Sequence, residues 1–500
     1  MEKQTVRDFD PQGKRVLVRV DFNVPIEDGK VKDDSRIRGA LPTIIYLLEH
    51  GASVVLMSHL GRPKGKVVES ARLRPVAERL SGLMRMPVPI TGDPLGIGTR
   101  DAVARLKPGQ LMMLENLRFH PEEEANDDEY AKTLASYGEI FVNDAFGTAH
   151  RAHASTVGVT NYLPAYAGLL MEREIEALSS LLESVAHPFA AVIGGAKVSG
   201  KLGVLNNLMG KVDAFLIGGG MANTFLVARG NTVGKSLLER DQVDDARQIL
   251  EKAEKKGADF LLPTDVVVAK EVTRGAEHKV VLVNKIPNSW SAVDIGPQTT
   301  EAFKDALSSA KTVFWNGPLG VFEVPTFGDG TRAIGRYLAA RADEGVTVIV
   351  GGGDSIAALE ELGLTSKMTH ISTGGGASLE FLEGRELPGI SVLKDKEKVE
   401  PAKAAAKRAA KPKATPKPAA ATKPAAEGQP GAAAKPATKP VAKAAAKAAD
   451  TKPVAKPKVP TKPAAKAQAK PAAKPKAPTK PTAKAAPKAP AKKPTTKAAK

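Results

Sequence analysis

Short runs of apolar and β-branched residues alternate with longer amphipathic segments along the first 170 residues. The helical spacing of apolar positions is clear at residues 36–51, RIRGALPTIIYLLEHG, which predicts a helix there. The short runs predict β-strands at residues 15–22, 52–59, 111–117 and 139–146. Strands that alternate with helices indicate right-handed βαβ units around a parallel sheet, and the loops at the carboxyl ends of such strands carry function.

The same alternation starts again after a long helical pattern at residues 171–186, MEREIEALSSLLESVA, which ends before Pro188. Five further strands are predicted, at residues 189–195, 214–220, 259–269, 311–317 and 346–353. The predicted fold class is therefore α/β, with two doubly wound parallel-sheet (Rossmann-like) domains joined by a helix and hinge, and a disordered C-terminal tail. The predicted parts are an N-terminal domain at 1–170, an interdomain helix at 171–187, a C-terminal domain at 188–379, a segment at 380–395 that packs back on the first domain, and the tail at 397–500.

The last hundred residues differ in composition from everything before them. Residues 401–500 contain 26 Lys and Arg but only two acidic residues, Glu427 and Asp450, together with 19 of the 37 prolines. They contain no Leu, Ile, Met, Phe, Tyr or Trp. Such a segment cannot bury enough apolar surface to offset the entropy of ordering, so we predict that it is disordered.

The charge of the chain is divided in the same way. The whole chain has 73 basic and 55 acidic residues, of which 47 and 53 lie in residues 1–400, so this part carries a net charge of −6 and the basic excess belongs to the tail. Cysteine is absent, which excludes disulfides, thiolate metal sites and cysteine nucleophiles. The N-terminus has no apolar signal segment and no apolar run reaches membrane-spanning length, so we expect a cytoplasmic protein.

Polar and cationic residues follow several predicted strands of the first half. Each could be a solvated charge, and His59 could be a structural histidine, but together they would lie at one edge of a sheet. Guanidinium groups match the geometry of phosphate and carboxylate, so this edge predicts a site for a small polyanion. The candidate residues are Asp21, Asn23, Arg36, His59, Arg62, Arg118 and Arg151.

The HRAH stretch at residues 150–153 raises the alternative of a zinc site. Zinc needs at least three protein ligands, and neither an HExxH motif nor a third ligand at a suitable spacing accompanies His150 and His153. The sequence therefore does not favour a zinc site here, and Arg151 is the only residue of this stretch among the candidate ligands.

Glycine clusters follow the predicted strands of the second half, at residues 194–197, 218–221, 316–320, 351–355 and 372–378. Glycine lets the backbone approach a ligand closely, and the helices predicted after the last two clusters offer N–H groups to phosphate. We therefore predict a nucleotide site. Asp354 is a candidate Mg²⁺ ligand, and the alternative use of this aspartate is as a helix N-cap.

The stretch GGAKVSGKL, residues 194–202, has the glycine and lysine spacing of a P-loop, but Leu202 stands where a P-loop has Ser or Thr. Lys197 and Lys201 are four residues apart and would share a helix face if a helix began near residue 197. A small-anion site and a Mg–nucleotide site together predict phosphoryl transfer, with these lysines near the moving group. The alternative is a pair of solvated lysines.

Long motifs of this chain, in order, resemble those of the phosphoglycerate kinase family. The resemblance extends from near residue 5 to about residue 393. The motifs are VRVDFNVP (18–25), SHLGRPKG (58–65), LLENLRFHPEE (near 113–123), NDAFGTAHRAHAST (143–156), GGAKVSGK (194–201), NGPLGVFE (316–323), GGGDS (351–355) and STGGGAS (372–378).

The resemblance implies a monomeric, two-domain kinase with a cleft that closes on a hinge. Its reaction would transfer phosphate reversibly between 1,3-bisphosphoglycerate and ADP, giving 3-phosphoglycerate and ATP, with Mg²⁺. It implies that the seven first-half residues above bind phosphoglycerate, that Arg36 also orients the reacting carboxyl end, and that Lys197 steadies the transferring phosphoryl group. The implied nucleotide ligands are Lys201, Glu323, Gly352, Gly353, Asp354 and Ser355, with Asp354 on the metal.

Two positions depart from the family pattern. Gly200 stands where the family usually carries Asp, and Ala292 stands where glycine is common near the adenine.

Two alternatives to the kinase function remain. One is a nucleic-acid-binding or architectural protein that acts through a tail resembling those of linker histones, and the other is a P-loop NTPase. The tail itself is expected either to bind nucleic acid or another polyanion without sequence specificity, or to serve as a solubilising extension.

Overall fold

The computed structural model describes residues 2–396. Four of the seven strands in its first half lie within the four segments predicted from the apolar pattern, whereas the short strands Ile26–Glu27, Lys30–Val31 and Ala165–Ala167 were not predicted. In chain order the elements are β1 (Arg15–Arg19), β2 (Ile26–Glu27), β3 (Lys30–Val31), α1 (Ser35–Glu49), β4 (Ser53–Met57), α2 (Arg74–Met84), α3 (Ile97–Ala104), β5 (Leu111–Met113), α4 (Pro121–Ala125), α5 (Asp128–Ala135), β6 (Ile140–Asn143), β7 (Ala165–Ala167) and α6 (Leu169–Glu183).

Five of these strands form a parallel sheet in the order β5-β4-β1-β6-β7. The central strand β1 aligns Val16 with Val54 of β4 on one side and with Ile140 of β6 on the other. Alternate residues of β1 pack on opposite faces, because Val16 shares a core cluster with Ile44 of α1, whereas Leu17 belongs to the cluster on the other face. Both faces are therefore covered, as a parallel sheet requires.

The second half continues the alternation. Its elements are β8 (Phe189–Ile193), α7 (Leu202–Leu208), β9 (Ala214–Ile217), α8 (Gly219–Ala228), α9 (Val243–Lys256), β10 (Asp259–Leu261), β11 (Asp265–Ala269), β12 (His278–Leu282), β13 (Ser291–Ile295), α10 (Pro297–Ser308), β14 (Thr312–Asn316), α11 (Asp329–Asp343), β15 (Thr347–Gly351), α12 (Gly353–Glu361), β16 (His370–Ile371), α13 (Gly376–Leu382) and α14 (Pro388–Ser391). A second parallel sheet has the order β10-β9-β8-β14-β15-β16. The predicted α/β class with two parallel sheets is confirmed.

The prediction of one strand at residues 259–269 was wrong. The segment breaks at Pro263, which has no N–H to donate to a strand partner, and Thr264 instead donates its N–H to Thr299 Oγ1 at 3.0 Å. The piece before the break, β10, pairs in parallel with β9. The piece after it, β11, pairs antiparallel with β12 and β13 in a separate three-stranded sheet that the apolar pattern did not predict.

Helix α6 leads from β7 of the first sheet to β8 of the second. Asp144 stabilises its first turn, because its Oδ1 accepts hydrogen bonds from the N–H groups of Leu170 at 2.9 Å and Met171 at 3.2 Å. Burial raises the pKa of the Asp144 carboxyl to about 7, an effect that these hydrogen bonds only partly oppose. The helix ends at Glu183, before the predicted end at residue 186.

The last described residues run beside the N-terminus and the first sheet. Lys394 O accepts a hydrogen bond from Gln4 N at 2.8 Å, and Gly389 O accepts one from Asn143 Nδ2 at 2.9 Å. The predicted tail at 397–500 lies outside the described residues. Across residues 2–396, no helix has the length and apolar character to cross a membrane.

Candidate active site

Loops at the carboxyl edge of the first sheet carry most of the residues predicted to bind an anion. Since the parallel strands β1, β4, β5 and β6 are neighbours in this sheet, the segments that follow them start from the same edge. Asp21 and Asn23 follow β1, His59 and Arg62 follow β4, Arg118 lies in the 3₁₀ turn Leu117–Phe119 after β5, Arg151 follows β6, and Arg36 lies in the first turn of α1.

Hydrogen bonds hold four of these residues in place. Arg36 Nη1 donates to Asp21 Oδ2 at 2.6 Å, so the carboxylate holds the guanidinium in place while its other N–H groups remain available. Asn23 Oδ1 accepts a hydrogen bond from Gly61 N at 2.9 Å, and Arg118 Nη1 donates to Gly61 O at 3.0 Å. The loop after β4 is therefore fixed by the loop after β1 and by the turn after β5.

His59 lies behind this edge and is 2% exposed. Its Nδ1 is 3.2 Å from Arg19 Nη2 and 3.9 Å from Asp21 Oδ1. Burial, followed by the positive charges of the surrounding arginines, lowers its pKa well below the usual value. The ring is therefore neutral at physiological pH. The arginines that act on it are Arg19, Arg118, Arg151 and Arg36.

Arg151 and Arg62 have few partners. Arg151 Nε donates to His150 Nε2 at 3.0 Å, whereas the exposed Arg62 has no hydrogen-bond or ion-pair partner within residues 2–396. Both can therefore offer N–H groups to an external anion. Throughout the part of the chain that the structure describes, no group of three or more His, Cys, Asp or Glu residues is placed to hold a metal ion.

Glycines allow two loops of the second sheet to touch through their backbones. A Cβ on Gly194, after β8, would lie 2.2 Å from Pro318 O in the loop after β14, and Gly317 has a φ of +96° that disfavours other residues. Side chains at these positions would push the loops apart. The glycine cluster predicted at 194–197 therefore serves loop packing as well as the shape of the site.

A cavity of about 450 Å³ opens between these loops, α8 and the three-stranded sheet. Its walls are mainly apolar, and the carboxylate residues Glu323 and Asp354 are among those that line it. Ala292 also lines it, and its N–H donates to Ser236 Oγ at 2.8 Å. Apolar walls with a few polar groups suit a nucleotide, with its flat base and charged phosphates.

Lys201 and Asn316 form a polar pair beside the glycine-rich loops of the second sheet. Lys201 Nζ donates a hydrogen bond to Asn316 Oδ1. Burial lowers the pKa of Lys201 to about 8, although the charge of Asp354 opposes this shift. Asn316 Nδ2 is buried and has no partner within residues 2–396, and a Cβ on Gly352 would lie 3.3 Å from it. Asn316 was not identified from the sequence, although it stands at the start of the motif NGPLGVFE.

The expected helix face shared by Lys197 and Lys201 was wrong. Glu239 holds the preceding loop, because its Oε2 accepts the N–H groups of Val198 at 2.6 Å and Ser199 at 3.0 Å. Helix α7 consequently begins only at Leu202. Lys197 is exposed on the loop, whereas Lys201 is half-buried at the helix start.

The N-cap alternative for Asp354 was also wrong. Helix α12 begins at Gly353, Gly352 takes the capping position, and Asp354 lies exposed in the first turn. Ser355 is fully buried and its Oγ accepts a hydrogen bond from Gly317 N at 2.6 Å, so its hydroxyl joins two loops.

Several buried polar residues near both edges were missed from the sequence. Glu174 of α6 accepts hydrogen bonds from Thr373 N at 2.6 Å and Thr373 Oγ1 at 2.8 Å, and its other oxygen lies 3.0 Å from His370 Nε2. These contacts tie the helix between the sheets to the loop after β16. The only sequence signal was a carboxylate on the mainly apolar face of α6.

Comparisons with known proteins agree with this arrangement. A family model for phosphoglycerate kinase matches residues 6–385. Curated relatives named phosphoglycerate kinase from Moorella thermoacetica and Chloroflexus aurantiacus are 57% and 58% identical over 396 and 400 residues, and each alignment covers 79% of this chain and 100% of the relative. The comparisons give no support to a nucleic-acid-binding function in place of the kinase.

Solved structures agree as well. The phosphoglycerate kinase of Coxiella burnetii is 44% identical with a TM-score of 0.71, over 78% of this chain and 98% of that one. The enzyme of Pyrococcus horikoshii is 36% identical with a TM-score of 0.69 and the same coverage. The chain therefore belongs to the phosphoglycerate kinase family.

Proposed function

We propose that the chain transfers the acyl phosphate of 1,3-bisphosphoglycerate reversibly to Mg-ADP, giving 3-phosphoglycerate and ATP, as in glycolysis and gluconeogenesis. Family membership across residues 6–385 carries the proposal, because this range includes the polar edges of both sheets. A terminal phosphate oxygen of ADP attacks the transferred phosphorus and forms a new P–O bond. The P–O bond to the acyl oxygen breaks, and the carboxylate leaves with the electron pair.

The edge of the first sheet binds phosphoglycerate. The guanidinium groups of Arg62, Arg118 and Arg151 suit its phosphate, because they can donate several N–H bonds to one anion. Arg36 touches the reacting carboxyl end and orients it, with Asp21 holding the guanidinium at 2.6 Å. The remaining ligands are Asp21, Asn23 and His59, whose polar atoms can meet the substrate's hydroxyl and carboxyl oxygens.

The loops of the second sheet bind the nucleotide. Lys201 and the unpartnered amide of Asn316 contact the phosphates, together with the N–H groups of Gly352, Gly353 and Ser355 at the start of α12. Glu323 at the wall of the cavity meets the ribose hydroxyls. Lys197, exposed on its loop, steadies the phosphoryl group during transfer.

Mg²⁺ fits this edge through Asp354, an exposed carboxylate that lines the cavity. Magnesium commonly takes one or two protein carboxylates and completes its shell with water and substrate phosphates, so a single aspartate suffices. When bound, the ion neutralises phosphate charge during the transfer.

We further propose that residues 1–170 and 188–379 are two domains joined by the helix at 171–187, with 380–395 completing the first domain. Closure of such domains would exclude water from the acyl phosphate and so prevent its hydrolysis. The contacts of Glu174 with Thr373 and His370 support a coupling of the connecting helix to the nucleotide-side loops. The enzyme acts as a cytoplasmic monomer in this proposal.

The basic tail adds a second property. Residues 401–500 carry 26 basic and two acidic side chains and no aromatic residue. Such a segment binds nucleic acid or another polyanion through phosphate contacts alone, without sequence specificity and with strong dependence on salt.

Matched arginine variants on α1 test the substrate assignment. Arg36→Met should weaken binding of 3-phosphoglycerate at least about tenfold in titration calorimetry, the value of a charged hydrogen-bonded pair, and leave Mg-ATP binding unchanged. Arg38→Met removes an exposed guanidinium that contacts Asp34, the residue just before α1, and it should change neither affinity. Equal effects of the two substitutions would contradict the assignment.

A further inference from the structure

A chain of buried polar side chains lies behind the substrate edge of the first sheet. Arg19 is the last residue of β1, Ser155 lies in the loop after β6, and Glu123 lies in α4. Arg19, Ser155 and Glu123 are fully buried, and His59, at the end of the chain, is 2% exposed. Charged groups this deep in a protein are unstable unless they are paired or hydrogen-bonded. The contacts among these four residues therefore need an explanation.

Arg19 donates hydrogen bonds on both of its sides, toward Ser155 and toward His59. Ser155 donates its hydroxyl to Glu123 Oε1 at 2.6 Å and its N–H to Glu123 Oε2 at 3.0 Å. Arg19 Nε donates to Ser155 Oγ at 2.8 Å, Nη1 donates to the carbonyl of Val20, and Nη2 lies 3.2 Å from His59 Nδ1. The guanidinium is therefore fixed on three sides, and the charge of Glu123 compensates its own.

The last contact determines which nitrogen of His59 carries the proton. A guanidinium has only donors, so His59 Nδ1 must be the acceptor. We propose that Arg19, held by Ser155 and Glu123, is a positioning residue that fixes His59 as the neutral tautomer with its proton on Nε2. The inference rests on the proposed function, in which His59 contacts phosphoglycerate.

The surroundings of His59 favour a neutral ring and give this tautomer a use. Burial of the ring disfavours a second ring proton, and so do the guanidinium groups, which outnumber the Asp21 carboxylate 3.9 Å from Nδ1. Nε2 has no hydrogen-bond partner within residues 2–396. An Nε2–H group can donate to an anionic substrate oxygen, whereas the opposite tautomer would turn a lone pair toward it. The charged groups that face the ring are Arg19, Arg118, Arg151, Arg36 and Asp21.

Ring-nitrogen NMR of the full chain, labelled with ¹⁵N-histidine, tests the tautomer directly. The His59 signals are identified by their loss in His59→Gln, and the expected spectrum has an unprotonated Nδ1 and a protonated Nε2 across about pH 6 to 8. His50 and His278 serve as internal references, because their Nδ1 atoms lie 2.8 and 3.0 Å from carbonyl oxygens and must donate when the rings are neutral. The tautomer itself is measured in the wild-type protein, and His59→Gln serves only for assignment.

Ser155→Ala tests whether the buried hydrogen bonds of Glu123, Ser155 and Arg19 position His59. Loss of the hydroxyl removes the acceptor of Arg19 Nε, so the guanidinium is no longer held against Nδ1 and His59 should populate both neutral tautomers. The KM for 3-phosphoglycerate should rise about threefold to tenfold, as expected for one weakened hydrogen bond, with the KM for Mg-ATP and kcat unchanged. The matched control is Ser136→Ala, which removes an exposed hydroxyl that donates to Thr133 O. Thermal unfolding of each variant verifies that it is folded.

The outcomes separate this inference from the proposed function. A wild-type His59 that is protonated on Nδ1, or that carries both protons near neutral pH, overturns the inference. An unchanged His59 spectrum in folded Ser155→Ala would show that Ser155 does not position His59 through Arg19. A tautomer shift in Ser155→Ala without a change in KM supports the positioning role and instead contradicts the proposed contact between His59 and the substrate.

Discussion

Lys201 Nζ donates a hydrogen bond to Asn316 Oδ1, although 115 residues separate them in sequence. The lysine ends the loop after β8, and the asparagine ends β14, the neighbouring strand. The pair therefore fixes a cation between two loops of the proposed phosphate site and leaves Asn316 Nδ2 free to donate. Burial lowers the pKa of Lys201 to about 8, so the lysine remains mostly charged at neutral pH.

Lys201→Met should lower kcat/KM for Mg-ATP by about 10²- to 10³-fold, the usual effect of removing one donor from a developing negative charge. Binding of 3-phosphoglycerate should not change, because its ligands lie on the other sheet. Steady-state kinetics with each substrate varied in turn measures both effects.

Lys252 provides a matched control for that substitution. It also donates from Nζ to an asparagine, Asn206 Oδ1 at 2.9 Å, but this pair is exposed on α9 and α7. Lys252→Met should leave kinetics unchanged. Similar losses in the two variants would mean that Lys201 acts through general stability and not through the nucleotide.

Gly200 departs from the family pattern, and the structure has room for the missing carboxylate. A Cβ there would meet no atom within 4 Å, and Gly200 does not have a positive φ. Gly200→Asp should therefore fold normally and lower the KM for Mg-ATP about twofold to fivefold by adding an ion pair near Lys201. Gly200→Ala separates the carboxylate from the backbone effect. A KM that is the same in both variants would contradict a role for the carboxylate.

Local patterns in the sequence predicted most of the fold, because buried parallel strands such as β4 and β8 are continuous apolar runs. They failed at residues 259–269, where both pieces are apolar and only Pro263 marks the change of sheet. The candidate ligands could be predicted because they follow strand ends. Arg19 and Glu174 could not, because their partners are distant in sequence and no local pattern encodes such a pairing.

Asp144 should make the stability depend on pH. Its pKa is about 7 in the folded protein against an ordinary 3.8, so the folded state binds the proton more tightly. This contribution is complete at low pH and is lost as pH rises through about 7, with a slope of up to about 1.4 kcal/mol per pH unit. Asp144→Asn keeps an acceptor for Leu170 N and should reduce the slope between about pH 5 and 7 by this amount, as measured by urea unfolding.

A second buried carboxyl and one control variant define the size of that effect. Asp294, whose pKa burial also raises to about 7, should account for a second part of the slope, so Asp144→Asn alone will not abolish it. Asp101→Asn, at an exposed position of α3, should leave the slope as in the wild type. A wild-type slope in Asp144→Asn would show that this carboxyl titrates normally in the folded chain.

Removal of residues 397–500 should abolish DNA binding and leave turnover unchanged. Binding of the full chain to duplex DNA should fall by about 10³-fold or more between about 50 and 200 mM salt, as expected for six to ten phosphate contacts. Fluorescence anisotropy with two unrelated duplexes measures affinity and specificity together. Salt-independent binding, or binding by the shortened chain, would rule out an electrostatic tail.

The most direct test of the central claim is phosphoryl transfer by the purified full chain from Mg-ATP to 3-phosphoglycerate, with the acyl phosphate trapped by hydroxylamine. We predict turnover that requires both substrates and Mg²⁺. Arg36→Met and Lys201→Met should each reduce this turnover strongly. Arg38→Met and Lys252→Met should leave it unchanged. Absence of an acyl phosphate product, or ATP hydrolysis that does not depend on 3-phosphoglycerate, would contradict the proposed reaction.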